Sequence, residues 1–284
     1  MQRDFPPTRP FEGVLPGIPG TQVREVEGLP EHLEGGTPVA LCTEIRPGAL
    51  LFDIPGIARY RVQDGKTVEV AVAPNADRAA ARLFLLGSAR AAIIHQRGEL
   101  ALSAATLVAP NWKSVAICCP SVIGKSTLAA ALCRRGWLLI ADDITRVSWN
   151  GTMAIAWPSS DRIKLWRDAC ERLGENADAL ERVRNGLEKY FLPVRAATTP
   201  AALSVALRLT IGQAVTVEEI SAETRTQLLA ESTFRPRWIA PLGRGPDHAR
   251  TIVQVARVCR GAMLHGARNC AIEELADRVA ELVR

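Results

Sequence analysis

The residues best suited to chemistry are those of segment 119–127, which reads Cys-Pro-Ser-Val-Ile-Gly-Lys-Ser-Thr. It follows an apolar run and precedes a helical pattern, which is the context of a phosphate-binding loop. Backbone amides and the positive end of a helix surround an anion in such a loop. The loop pattern predicts seven nucleotide-binding residues: Ser121, Val122, Ile123, Gly124, Lys125, Ser126 and Thr127. Lys125 would reach the β- and γ-phosphates, and the Ser126 hydroxyl would bind magnesium.

An acidic pair, Asp142-Asp143, ends the next apolar run. The strand–helix–strand order predicts a right-handed crossover with parallel neighbouring strands, which brings the pair to the same sheet edge as Lys125. One carboxylate can then share a metal ion with Ser126, and the other can accept a proton from an attacking hydroxyl. We assign the metal to Asp142 and the proton to Asp143, with Lys125 as the third catalytic residue. The alternative is that the two aspartates only cap or turn the chain.

The elements that position these residues follow a mixed α/β pattern. Residues 1–20 are rich in proline and glycine and predict a flexible segment. Residues 21–98 predict a small β-rich portion, with a hairpin at Asp64-Gly65 and a closing helix over 75–98. Residues 99–284 predict the nucleotide-binding domain. Its predicted strands cover 100–108, 115–119, 137–141, 144–149, 152–157, 203–211 and 215–220, with a hairpin at Asn150-Gly151. Its predicted helices cover 125–135, 168–173, 179–187, 221–231, 246–259 and 272–282.

Composition narrows the class of protein. The chain has 284 residues, of which 48% are hydrophobic, and a formal net charge of +5. It has no apolar run of about 18 residues, so no membrane span is predicted, and with no signal sequence at the N-terminus we expect a cytoplasmic protein. Aromatic residues make up only 5% and basic blocks are absent, which argues against nucleic-acid binding. Lysine is scarce, with five residues: Lys66, Lys113, Lys125, Lys164 and Lys189.

The seven cysteines predict neither a disulfide framework nor a zinc site, because their number is odd and no CxxC pair occurs. Six of them are interpreted as small hydrophobic residues of the core. The seventh, Cys119, stands where the usual phosphate-binding loop begins with glycine.

The loop and the acidic pair together resemble the catalytic core of HPr serine kinase/phosphorylase. The matching residues are Ser121, Gly124-Lys125-Ser126-Thr127 and Asp142-Asp143, with the pair beginning seventeen positions after Lys125. Four other segments resemble a subgroup of shorter HPr-kinase-related proteins that accompany lasso peptide and similar peptide clusters: 54–60, 95–98, 164–166 and 233–236. The resemblance extends from Leu41 to the C-terminus.

This resemblance implies a P-loop kinase core of the HPr kinase, PEP carboxykinase-like type, preceded by the small β-rich portion. It also implies ATP and Mg²⁺ as cofactors and a serine of a peptide or small protein as the phosphate acceptor. A ribosomally made, lasso-type precursor peptide is the implied substrate of the subgroup. The wider family contains homo-oligomers, so the resemblance allows one here.

Three positions depart from the family pattern. Cys119 and Val122 each replace a loop glycine, a residue that permits positive φ and close approach of the backbone to phosphate. Ser103 stands where the family usually has a histidine, in the strand before the loop. Ser103 and Arg235 are candidate contacts to phosphate or peptide, although Arg235 has the alternative of a plain surface arginine.

Three functions are compatible with these residues. The leading one is an ATP- and magnesium-dependent serine kinase acting on a peptide or small protein. The second, motivated by the three departures, is a scaffold that binds precursor peptide without phosphoryl transfer. The third is a switch that hydrolyses nucleoside triphosphate without a peptide acceptor. None of the three predicts nucleic acid or a membrane as a partner.

Overall fold

Both β-sheets and α-helices are present in the computed structural model, in agreement with the predicted mixed α/β class. The structure describes residues 11–119, 124–267 and 270–284. Two units are distinguished, and neither is contiguous in sequence, in contrast to the contiguous domains that the sequence predicts. The first contains the chain up to Ala101 with Val183–Leu187 and Arg235–Arg250, and the second contains Leu102–Arg182, Glu188–Phe234 and Thr251–Arg284.

A six-stranded sheet forms the centre of the first unit. Its strands are β1 (Gln22–Glu25), β2 (Thr37–Ala40), β3 (Thr43–Arg46), β4 (Ala49–Ile54), β5 (Ala58–Gln63) and β6 (Thr67–Val72). Their order is β1-β6-β5-β4-β3-β2, and all pairs are antiparallel except β1–β6. Asp64 and Gly65 connect β5 to β6 with φ values of 53° and 63°. Two successive positive φ angles are typical of a tight hairpin turn, so the predicted hairpin is confirmed.

A helical segment follows this sheet, but it is not the uninterrupted helix that the pattern over 75–98 predicts. Its parts are α1 (Arg78–Phe84), a wider π-helical turn (Leu85–Ala89) and α2 (Arg90–Gln96). Asp77 caps the N-terminus of α1, since its carboxylate accepts a hydrogen bond from the N–H of Ala79 at 2.9 Å. Gly87 and Ser88 lie in the π-helical turn, and both are weaker helix formers than their alanine and leucine neighbours. The helix therefore widens at these residues.

The described part of the N-terminal segment, 11–20, is packed, in contrast to the flexible segment that its proline and glycine content predicts. Phe11, Leu15 and Ile18 are fully buried. The Thr21 hydroxyl accepts the N–H of Leu15 at 2.8 Å and donates to the carbonyl of Ile18 at 2.9 Å. Three buried apolar side chains and a hydrogen-bonded turn thus order this stretch. The free energy gained by burying them outweighs the flexibility that a proline- and glycine-rich composition favours.

Glu25 anchors the start of this packed segment. Arg78 donates to both of its carboxylate oxygens, at 2.9 and 2.6 Å, and the N–H of Phe11 donates to Oε2 at 2.9 Å. The Arg78 guanidinium is the main reason that the pKa of Glu25 lies below its ordinary value of 4.5. Because the pKa is lowered in the folded state, this contribution to stability is present above pH 4.5 and is lost as the pH falls through the lowered pKa.

We expect Glu25→Gln to lower the free energy of unfolding by about 1 kcal/mol at neutral pH, since a partly exposed ion pair with charge-assisted hydrogen bonds contributes about that much. The difference from wild type should shrink as the pH falls below 4.5 and through the lowered pKa of Glu25, where the wild-type carboxylate also becomes protonated. Denaturant unfolding at neutral pH and at a series of lower pH values measures this. Glu27→Gln, at an exposed residue of the same segment, is the matched control. Equal stability of Glu25→Gln and wild type at neutral pH would show that the ion pair contributes nothing.

Eleven strands and five helices, in chain order, complete the described chain, most of them in the second unit. The strands are β7 (Leu100–Val108), β8 (Ser114–Cys118), β9 (Leu138–Ala141), β10 (Ile144–Trp149), β11 (Ala154–Trp157), β12 (Arg162–Trp166), β13 (Glu181–Arg182), β14 (Lys189–Pro193), β15 (Ala201–Gly212), β16 (Thr216–Glu219) and β17 (Arg260–Ala267). The helices are α3 (Lys125–Arg134), α4 (Arg167–Arg172), α5 (Ala222–Glu231), α6 (Gly245–Val258) and α7 (Ile272–Leu282). The main sheet has the order β11-β10-β7-β8-β15-β17-β16, with β9 also paired to β7, and a smaller sheet has the order β12-β14-β13.

The arrangement of β8, α3 and β9 differs from the predicted pair of neighbouring parallel strands. β8 and β9 point in the same direction, but β7 lies between them and is antiparallel to both. Cys118, at the end of β8, is opposite Ala104, and Ala141, at the end of β9, is opposite Thr106. The C-terminal ends of β8 and β9 therefore lie at the same edge of the sheet, as predicted, although the two strands are not neighbours.

The helix predicted over 179–187 is wrong. A short 3₁₀ turn at Ala177–Ala179 leads instead into β13, in which Glu181 pairs with Phe191 and Arg182 with Tyr190 of β14. The Arg182 guanidinium also lies 5.5 Å from the centre of the Tyr190 ring. Pairing with β14 supplies contacts that the helical sequence pattern does not reveal, and tertiary contacts override local propensity in such cases.

The cysteines of the structure are all free thiols. Cys118, Cys170 and Cys259 are buried, as predicted for core residues, but Cys42 is exposed, and for this residue the core prediction is wrong. Cys42 has a φ of 59° in the turn between β2 and β3, where its side chain has no core to enter. Among the described residues, no helix is both long enough and apolar enough to cross a bilayer.

Candidate active site

Asp142 and Asp143 lie at a break between two strands that both border β7. β9 ends at Ala141 and β10 begins at Ile144. The N–H of Ile144 donates to the carbonyl of Asp142 at 3.0 Å, around Asp143, whose φ is 68°. Such a three-residue turn with positive φ is rare and costs about 1–3 kcal/mol. The break thereby presents two successive carboxylates at one point of the sheet.

The first turn of α3 reaches the same point. The Ser126 hydroxyl donates to Oδ1 of Asp142 at 3.2 Å, and Asp142 is buried. α3 follows Gly124, whose φ of 106° is accessible to glycine and strained for other residues. The positive charge of Lys125 acts to lower the pKa of both aspartates. Four predicted site residues are therefore grouped in the structure, while Thr127 is buried within α3.

Lys164, in the middle of β12, holds both carboxylates. Its backbone N–H donates to Oδ2 of Asp142 at 2.9 Å, and its ammonium forms an ion pair with Asp143. Lys164 has no predicted role in the loop or the acidic pair and belongs only to the segment 164–166 of the family resemblance. In the sequence, Lys164 is a cation between two apolar residues, Ile163 and Leu165, in the alternating pattern of a strand, and both of these neighbours are buried in the structure. That pattern indicates a charged residue on the outer face of a strand, but not its partner.

The two aspartates have opposite electrostatic surroundings. Burial raises the pKa of Asp142, and the neighbouring negative charge of Asp143 raises it further. Burial also acts to raise the pKa of Asp143, but nearby positive charges outweigh it and hold that pKa well below its ordinary value. Those charges belong to three of the chain's five lysines: Lys164, Lys125 and Lys189. Asp143 is therefore ionised at neutral pH and lies in a positive surrounding that favours anions.

The oxygen atoms of this cluster fit a magnesium ion shared with a ligand. Ser126 supplies a hydroxyl oxygen and Asp142 a carboxylate oxygen, the hard donors that Mg²⁺ prefers. Over the described part of the chain, no group of three or more His, Cys, Asp or Glu side chains could hold a metal ion by itself. Mg²⁺ is usually held by one or two protein oxygens together with phosphates and water, and the donors present here match that usage.

Cys119 lies next to this cluster and is half-buried. Burial raises the pKa of its thiol, while the charge and the backbone N–H of Lys125 act in the opposite direction. An N–H at the first turn of a helix is one of the groups that would otherwise face an anion. Replacing the loop glycine therefore places a thiol close to a donor that a bound phosphate would use.

Ser103 lies beside the acidic pair, in β7. Its N–H donates to the carbonyl of Ser232 at 2.7 Å, and the N–H of the following residue, Ala104, donates to the carbonyl of Asp143 at 3.1 Å. The structure therefore brings this strand position next to the acidic pair, and a contact of Ser103 with phosphate or peptide stays a prediction. The predicted loop residues Ser121, Val122 and Ile123 lie outside the described residues.

Arg235 belongs to the first unit, whereas the acidic pair belongs to the second. Its backbone has a φ of 50°, and its guanidinium lies 5.0 Å from the centre of the Trp238 ring. Burial lowers the pKa of this guanidinium. Stacking on an aromatic ring gives Arg235 a structural role within its own unit.

Comparison with known proteins finds no matching family model and no matching curated protein. Among solved structures, the chain is similar to the HPr(Ser) kinase/phosphatase from Coxiella burnetii, with 15% sequence identity and a TM-score of 0.33. The similarity covers 64% of this chain and 97% of that chain.

Proposed function

We propose that the protein is an ATP- and magnesium-dependent phosphotransferase that phosphorylates a serine hydroxyl of a peptide or small protein. The observation that carries this proposal is the hydrogen bond from Ser126 to Asp142, which joins the Gly-Lys-Ser-Thr helix start to the acidic pair. Phosphoryl transfer needs this combination, with phosphate-binding groups beside oxygens that hold the metal and orient the nucleophile. The proposal includes a P-loop kinase core of the HPr kinase type and a lasso-type precursor peptide as acceptor.

In this proposal the first turn of α3 binds the phosphates. Lys125 provides a mobile positive charge, and Ser126 and Asp142 hold Mg²⁺, which would neutralise charge on the phosphates. Burial of Asp142 favours this role, because a buried carboxylate beside a second carboxylate gains most from a nearby cation.

Asp143 orients the acceptor hydroxyl. It is held ionised by the surrounding lysines, so its oxygens accept a hydrogen bond from the attacking serine. A strong base is not required, since the transition state of phosphoryl transfer is loose and catalysis relies mainly on positioning. Lys164 fixes the position of both aspartates through its backbone N–H and its ammonium.

A second candidate is the scaffold that binds a peptide without phosphoryl transfer. The observation that favours it is the half-buried thiol of Cys119, which lies close to the N–H of Lys125, a donor at the helix start. In that case the acidic pair and its lysines would remain as a peptide-binding surface.

One set of measurements separates the proposed functions. Calorimetry with ATP and MgCl₂ tests nucleotide binding, and intact-mass analysis of the peptide encoded beside the gene tests addition of one phosphoryl group. Nucleotide binding with a mass increase supports the kinase. Peptide binding without nucleotide binding supports the scaffold, and release of inorganic phosphate without any acceptor supports the hydrolytic switch.

Gly124→Ala tests the start of α3. We expect it to weaken ATP binding by about tenfold, because alanine at a φ of 106° costs about 1–2 kcal/mol and displaces the N–H groups that follow. Space among the described residues is not the cause, since a Cβ atom here would meet none of their atoms within 4 Å. Gly28→Ala, equally unobstructed and without positive φ, is the matched control. Unchanged ATP affinity in Gly124→Ala would remove this loop from the nucleotide site.

A further inference from the structure

The smaller sheet of the second unit has one apolar face and one face of cations and aromatic rings. Along β12 and β14 alternate residues point to opposite sides. Ile163, Leu165, Tyr190 and Leu192 are buried in the core. The opposite side, here named the cation–aromatic face, is formed by half-buried or exposed residues: Arg162, Lys164, Trp166, Lys189 and Phe191.

Cations and rings of this face contact one another in pairs. The Arg162 guanidinium lies 4.7 Å from the centre of the Phe191 ring, and the Lys189 ammonium lies 5.3 Å from that of Trp166. Trp166 is 45% exposed, which is unusual for the largest side chain. Each pair combines a positive charge with an apolar surface, so each can bind an acidic residue together with neighbouring apolar groups.

Lys164 connects this face directly to the acidic pair. It lies between Arg162 and Trp166 on β12, and its ammonium pairs with Asp143. The positive charge of Lys189, which lies opposite Trp166, also lowers the pKa of Asp143. A segment lying across the face would therefore have its centre at Asp143, with one cation–ring pair on each side.

The spacing of the face suits an extended peptide. Successive outward residues of a strand are about 7 Å apart, which is also the repeat of same-side residues in an extended ligand. Residues two positions before and two positions after the serine would meet the two cation–ring pairs. Lys189 is the clearest open charge, because no carboxylate among the described residues forms an ion pair with it, whereas Arg162 pairs with Glu181.

We propose that the cation–aromatic face binds the phosphate acceptor as an extended segment with acidic residues two positions from its serine. This inference rests on the proposed function, since it places the acceptor hydroxyl at Asp143. Charge complementarity selects an acidic segment, because three cations project from this face and one of them, Lys189, forms no ion pair within the described chain.

Fluorescence anisotropy with short labelled peptides tests this inference without phosphoryl transfer. The probes carry one central serine and either glutamate, glutamine or lysine two residues to each side. We expect the glutamate peptide to bind about tenfold more tightly than the lysine peptide. Lys189→Gln should remove most of that preference, and Lys189→Glu should reverse it. Lys66→Gln and Lys66→Glu, at an exposed lysine of the first unit, are the matched controls and should leave it unchanged.

Binding of a fluorescent ATP analogue with MgCl₂, measured on the same variants, separates the two proposals. Failure of the wild type to bind the analogue contradicts the kinase but not the peptide surface. Equal affinity of the wild type for all three peptides, or an unchanged preference in Lys189→Glu, overturns the peptide surface. The remaining alternative is that the cation–aromatic face binds the nucleobase of ATP, and Trp166→Ala tests it. Weaker binding of the ATP analogue together with unchanged peptide binding would support this alternative and overturn the inference.

Discussion

Replacing Lys125 by alanine is expected to slow phosphoryl transfer by about a hundredfold to a thousandfold, the usual effect of removing one group that stabilises transition-state charge. The physical reason is specific to this site. Lys125 is one of three lysines whose charges act on Asp143, and it is the one that begins the helix of the Gly-Lys-Ser-Thr motif. Rates of phosphopeptide formation at saturating ATP and peptide, with melting temperatures as a check on folding, measure the effect.

Lys66→Ala provides the control for Lys125→Ala. It removes the same charge from an exposed position of the first unit, so the transfer rate should stay within about twofold of wild type. Full transfer by Lys125→Ala would contradict the proposed mechanism. Loss of transfer in both variants would indicate a general dependence on net charge instead of a role for the loop.

Replacing Asp142 by asparagine is expected to reduce transfer by about a thousandfold, because the change affects both metal binding and geometry. The carboxylate accepts two hydrogen bonds, one on each oxygen, from the Ser126 hydroxyl and from the N–H of Lys164. An asparagine has one acceptor oxygen, so its NH₂ group would face one of these donors. The amide also loses the negative charge that Mg²⁺ requires. Single-turnover rates at increasing MgCl₂ measure both effects.

Asp53→Asn provides the control for Asp142→Asn. Asp53 also faces a cation, with Arg59 at 3.6 Å, but it lies in the first unit. Its replacement should leave the transfer rate unchanged and reduce stability by less than about 1 kcal/mol. An Asp142→Asn variant that transfers phosphate at the wild-type rate, with the wild-type dependence on MgCl₂, would exclude Asp142 as a metal ligand.

The sequence was informative where one local pattern determines the outcome. The apolar runs before Cys119 and Asp142, and the Gly-Lys-Ser-Thr helix start between them, are sufficient to predict that Ser126 and Asp142 meet. This prediction holds even though β7 lies between β8 and β9. Two strands that are both antiparallel to one neighbour run in the same direction, so their C-terminal ends lie at the same edge of the sheet. The hairpin at Asp64-Gly65 was predictable for a similar reason, since the turn residues themselves require positive φ.

The sequence was uninformative where distant segments decide the outcome. The role of Lys164 depends on the placement of β12 beside the break at Asp142-Asp143, and local periodicity contains no information about that placement. The segment 179–187 has helical spacing, yet part of it pairs with β14 as a strand. Cys119 departs from the loop pattern in the sequence itself, but its position close to the N–H of Lys125 depends on the folded start of α3.

The interleaving of the two units affects how this gene can be divided or recombined. Asn185 donates its N–H to Oδ2 of Asp77 at 3.2 Å, and the Trp238 ring lies 6.1 Å from that of Phe52, so short late segments complete a unit that the start of the chain begins. A gene fragment encoding only the chain after Ala101 would produce the buried Trp238 without its partners. A single crossover near Ala101 would keep the second unit whole but would separate the first unit from two of its own segments, Val183–Leu187 and Arg235–Arg250.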